Sequence, residues 1–181
     1  MQVENRTVIK VVAGTGLLIA AVMSLNLLLR PAEELTLDAA ALRAITAEST
    51  FQTVSGNGSQ AVHVFLSTEC SFCRQIEPEL DQLKNVTVYR HLLPGHTAAG
   101  RVAANSVWCS NDPAAAWKNH VTGQPVVPTT CTGRALDKNL ALAKRLGITM
   151  TPTIVFEDGH VSAGMHSVDQ INRLIERSLA R

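Results

Sequence analysis

Charge is scarce in this chain, and neither sign prevails. Over 181 residues only 17% are Asp, Glu, Lys or Arg, and the formal net charge is +1. No broad electrostatic field is therefore available to recruit nucleic acid or an acidic partner. Aromatic residues are equally sparse at 4%, and no basic block is interleaved with them, so nucleic-acid binding is not expected. Internal repeats and low-complexity tracts are also missing. What remains, 46% hydrophobic residues, is enough to bury a core and argues against disorder. Metal-ligand spacing is another absence. His63, His91, His96, His120, His160 and His166 show no ligand pattern, and Cys109 and Cys131 do not form a second close cysteine pair. A zinc site is disfavoured on those grounds, and no metal or organic cofactor is expected.

One long apolar run stands at the N-terminus. Arg6 and Lys10 precede an uncharged stretch at 11–29, closed by Arg30-Pro31. As a helix it would span about 28 Å, close to the ~30 Å hydrocarbon core of a bilayer. The rival is a cleavable signal peptide; the length favours an uncleaved anchor. Basic residues ahead of the span predict a cytoplasmic tail at 1–10, with the remainder exported. An exported domain lies where disulfides persist.

The expected organisation is a linker helix and turn at 30–60, followed by a catalytic domain at 61–181. Thr36 is a candidate cap for the linker helix, and Ser55-Gly-Asn-Gly-Ser59 breaks the chain after it. Ala61 to Leu66 is apolar on both alternating sides, as in a central strand covered on both faces. A second strand is expected at 85–93. Helices are expected at 97–109, 113–121 and 135–146, with a proline-bearing loop at 123–130. A hairpin turning at Asp158-Gly159 and a final helix capped by Ser167 close the chain. This order predicts an α/β fold with a mixed sheet.

The chemistry gathers at Cys70-Ser-Phe-Cys73, placed where the first strand meets a helix. A thiolate attacks disulfides, and a helix N-terminus offers unpaired N–H groups and partial positive charge to stabilise one. Spacing of three puts Cys73 one turn along, within reach of a mixed disulfide on Cys70. Arg74 would favour the thiolate and Glu69 would oppose it. A purely structural bridge between the two would restrain little of the chain, its ring being so small. Cys109 and Cys131 read as a second pair or as two buried thiols, and Trp108 and Trp117 as core residues. Pro78 falls inside the helix begun by the pair, where it removes a hydrogen bond.

Taken together, Cys70-Ser-Phe-Cys73, Ser106-Val-Trp-Cys109, Gln124-Pro-Val-Val-Pro-Thr-Thr-Cys131 and Leu146-Gly-Ile-Thr-Met-Thr-Pro-Thr153 resemble segments of the bacterial DsbC/DsbG disulfide isomerase family. The similarity runs from about Thr36 to the C-terminus. It implies a thioredoxin-like fold with helices on both sheet faces and a helical insertion. It implies that Cys70 and Cys73 are redox-active, that Cys109 and Cys131 form a structural bridge, and that Pro152 is a cis-proline. Thr151 and Pro152 would then hold an extended substrate segment. The implied partners are exported cysteine-containing proteins and a membrane redox protein that supplies or accepts electrons. Two features depart from the family: Ser67 stands where an Asp is frequent, and residues 30–60 leave no room for the family's dimerisation domain. Oxidase, reductase and isomerase directions stay open, as does a non-catalytic client-binding module of an envelope assembly.

Overall fold

The computed structural model describes residues 35–127, 129 and 131–180. The expected tail at 1–10 and span at 11–29 lie outside the described residues. Among the described residues, no helix is long and apolar enough to cross a membrane. Five strands form one sheet in the order β1-β3-β2-β4-β5: β1 Phe51–Val54, β2 Gln60–Ser67, β3 Val86–Leu93, β4 Thr153–Phe156 and β5 Val161–Ala163. Only β2 and β3 run parallel; the remaining neighbours are antiparallel. The sheet is thus mixed, as the element order predicts.

Helix α1 spans Ala39–Arg43 and α2 spans Ser71–Leu80, while α3 (Ala98–Trp108), α4 (Pro113–Val121) and α5 (Arg134–Arg145) fill the chain between β3 and β4. Helix α6, Val168–Leu179, follows β5 and begins with a capping box between Ser167 and Gln170, which satisfies two otherwise unpaired N–H groups.

Alternation along β2 and β4 sorts the core into two layers, since successive side chains point to opposite faces. Val62, Val64 and Leu66 join Ile154 and Phe156 in one cluster, packed with Cys73, Ile76 and Leu80 of α2, Trp117 of α4, and Ile171 and Ile175 of α6. Phe65 and Val155 face the other way, onto Leu142 and Ala143 of α5. A strand apolar on both sides is a strand covered on both sides, and β2 is that strand.

The N-terminal part differs from the expected linker. Asp38, not Thr36, caps α1, its Oδ1 accepting from the Ala41 N–H at 2.7 Å. Thr36 instead bridges to His160, and the Leu37 N–H donates to the Gly159 carbonyl at 2.8 Å. Leu37 and Ile45 are buried in the second cluster, so this segment completes the layer over α5. Gly159 has φ +85°, and a Cβ there would meet the Leu37 carbonyl oxygen at 2.3 Å; only glycine allows both the turn and the approach. Residues 51–54, expected within the turn region, form edge strand β1. Of its four residues only Phe51 is buried, too short an alternation to register as a strand.

Candidate active site

Strand β2 ends at Ser67, and the Cys70 N–H donates to the Ser67 carbonyl at 3.2 Å. That turn delivers Cys70 as the N-cap of α2, with extended backbone (φ −89°, ψ 114°). Its Sγ accepts from the Cys73 N–H at 3.2 Å, one of the unpaired donors of the first turn. The same sulfur donates to the Thr151 carbonyl at 3.2 Å, across 81 residues of sequence. Thr151–Pro152 is a cis peptide bond. Pro152 is buried, and its carbonyl accepts from the Gly164 N–H at 2.8 Å beyond β5. Cys70, Cys73, Thr151 and Pro152, nominated separately along the sequence, thus meet where β2 ends and its neighbour β4 begins.

The two sulfurs are unlike. Both are free thiols, Cys70 half-buried and Cys73 fully buried. Burial, with the hydrogen bond to Cys70 adding, pushes the Cys73 thiol up to about 12. Two large apolar side chains are exposed close by: Phe72, between the two cysteines, at 54%, and Met150, which precedes Thr151, at 56%. A cavity of about 470 Å³ opens beside Thr151, lined by Leu93, Leu140, Ile148 and Met150 with Lys144 and His96.

The two charges flanking the pair part company. Arg74 lines a separate cavity of about 190 Å³ with Glu77, Asp81 and Arg90. The Glu69 carboxylate accepts from the backbone N–H groups of His96 and Thr97 and from the Thr97 hydroxyl. These hydrogen bonds, the Thr97 hydroxyl foremost, hold it below the usual carboxylate range.

Cys109 and Cys131 are joined, with Cα atoms 6.1 Å apart, fastening the end of α3 to the segment before α5. Trp117 is core and more: its Nε1–H donates to Glu77 Oε1 at 2.6 Å. Glu77 also pairs with Arg90 at 2.8 Å, both nearly inaccessible. Nothing in the spacing of these three residues announced the network; a Glu on the buried face of α2 was its one sequence trace. Among the described residues no cluster of His, Cys, Asp and Glu could hold a metal ion.

Residues 47–178 match the family model for the thioredoxin-like domain. The "Probable thiol:disulfide interchange protein DsbC" of Bordetella pertussis is 31% identical over 141 residues, covering 78% of this chain and 47% of that protein. DsbC of Salmonella typhimurium is 25% identical, covering 64% and 50% respectively. The chain spans about half the length of the curated relatives it matches. A crystal structure of a disulfide interchange protein from Neisseria gonorrhoeae superposes with a TM-score of 0.66 at 30% identity, over 74% of this chain and 98% of that one.

Proposed function

The chain belongs to the thioredoxin-like domain family, and from that premise we propose that it exchanges disulfides with exported cysteine-containing proteins through Cys70 and Cys73. The observation that carries this reading is the setting of the Cys70 sulfur. It caps α2, receives the Cys73 N–H, and touches the carbonyl of the residue before a cis-proline.

In the proposed cycle the Cys70 thiolate attacks a client disulfide. A Cys70–client bond forms, the client's own S–S bond breaks, and the departing sulfur takes up a proton. Cys73 then loses its proton and attacks Cys70 Sγ, closing a Cys70–Cys73 disulfide and releasing the client thiol. Two electrons pass to the client. Run backwards, the same steps oxidise a dithiol. Because burial pushes the Cys73 thiol to about 12, its attack is slow to begin, and the mixed disulfide lasts. A persistent mixed disulfide gives another client thiol time to displace Cys70, which is isomerisation without net oxidation. Isomerisation, which needs no attack by Cys73, is therefore favoured over net reduction or oxidation of the client.

Thr151 supplies backbone groups for an extended client segment, and Phe72, Met150 and the cavity beside Thr151 offer apolar contact to an unfolded client. Electrons come from, or go to, a membrane redox partner. On this reading the uncharged stretch at 11–29 is the anchor that holds the domain in the periplasm. A binding module without chemistry is the rival, and one variant separates them. Cys73→Ala is expected to accumulate a Cys70-linked client adduct, seen by mass and released by dithiothreitol. A Cys73→Ala protein that holds an unfolded disulfide-bonded client yet never bonds to it would overturn catalysis and leave the binding module.

A further inference from the structure

Glu69 precedes the nucleophile directly, and a carboxylate in that place opposes a neighbouring thiolate. Its environment is specific. The loop from Pro94 to Thr97 brings the beginning of α3 against it. There the N–H groups of His96 and Thr97 and the Thr97 hydroxyl all donate to the carboxylate. The same hydroxyl accepts from the Gly100 N–H at 3.0 Å, so the negative charge is relayed into the first turn of a helix, where it is favoured. Space for this is set by one residue. A Cβ at Gly100 would lie 2.2 Å from Glu69 Cδ and 2.5 Å from Oε1.

The neighbouring residue is gripped as well. Thr68 Oγ1 donates to the Gly100 carbonyl at 3.1 Å, and the Thr68 carbonyl lies 2.9 Å from His120 Nε2. Two helices of the insertion therefore hold the two residues that precede Cys70.

Resting on the exchange reading above, we propose that Glu69 is a positioning residue. The start of α3 captures its charge and keeps it from opposing the Cys70 thiolate, and Gly100 is the residue that makes the capture possible. On this view the helical insertion serves the nucleophile, and Arg74, which lines a cavity with the carboxylates of Glu77 and Asp81, contributes less than its place in sequence suggests.

Gly100→Ala tests this directly, because alanine suits a helix better than glycine and the obstructed atoms belong to a side chain that can swing away. The measurement is the rate of Cys70 alkylation by iodoacetamide at pH 7 in the Cys73→Ala protein. Gly100→Ala is expected to slow alkylation about three- to tenfold at low salt, the range of a like charge brought beside an ionising group. The slowing should fade in ~1 M salt and vanish in Gly100→Ala/Glu69→Gln. Thr97→Val, which removes the hydroxyl contact, should act in the same direction. Slowing that ignores salt and persists without Glu69 would show a merely structural effect and overturn the inference, as would no slowing in either variant. If Cys70 is no faster than an ordinary thiol in the Cys73→Ala parent, the exchange reading itself fails, a distinct result.

Discussion

At the scale of single residues, burial decides protonation. Cys73 keeps its proton because it is enclosed, while Cys70, the N-cap of α2, is only half-buried. The same rule acts on two histidines that have no part in the exchange. His63 of β2 and His91 of β3 lie on the face toward α5, ring nitrogens 2.9 Å apart, with His91 stacked on Phe65. Burial pushes His63 down to about 4 and His91 down to about 3, the latter helped by its neighbour. Both are neutral in the fold and would charge below about 6.5 in the unfolded chain. The stability they permit is present above that pH and is lost as pH falls toward 4. Each unmatched proton steepens the loss by about 1.4 kcal/mol per pH unit. His91→Phe should therefore flatten the dependence of unfolding free energy on pH between 6 and 4 by about one proton, measured by urea titration. An unchanged slope would show that another group governs acid sensitivity.

At the scale of elements, Glu77 joins α2 to β3 through Arg90 and to α4 through Trp117. Arg90 also reaches Thr53 of β1 at 2.8 Å, so one ion pair ties the redox helix to three other elements. Leaving one member of such a pair alone costs about 3–5 kcal/mol, whereas removing both costs far less. Arg90→Met should lower unfolding free energy by that amount, and Arg90→Met/Glu77→Gln should recover part of it. Strictly additive losses would show that the pair is not coupled. Most elements were legible in the sequence. Ser167 caps its helix as read, the helices expected at 97–109 and 113–121 form as α3 and α4, and Asp158-Gly159 turns the hairpin. The failures have physical causes. Strand β1 carries one buried side chain and gives no period, and Leu37 reaches the core from extended backbone that a helical pattern imitates. The pairing of Glu69 with the start of α3 depends on a contact 28 residues away, and no local pattern encodes it.

At the scale of the whole domain, the sheet brings four site residues from two distant segments together where β2 ends and β4 begins. The motif identified Cys70 and Cys73, and the family resemblance supplied Thr151 and Pro152. Distance in space could come only from the fold. The bridge between Cys109 and Cys131 joins the end of α3 to the segment before α5 and is already closed, whereas Cys70 and Cys73 are free thiols, so the two cysteine pairs should answer differently to a redox buffer. Equilibration in glutathione mixtures, followed by quenching and mass analysis of each pair, tests the central claim most directly. The account predicts a two-electron titration of Cys70–Cys73 between about −120 and −270 mV, in the range of disulfide-exchange proteins, with Cys109–Cys131 closed throughout. A Cys70–Cys73 pair that never closes, or one that stays closed below about −300 mV as structural bridges do, would contradict it.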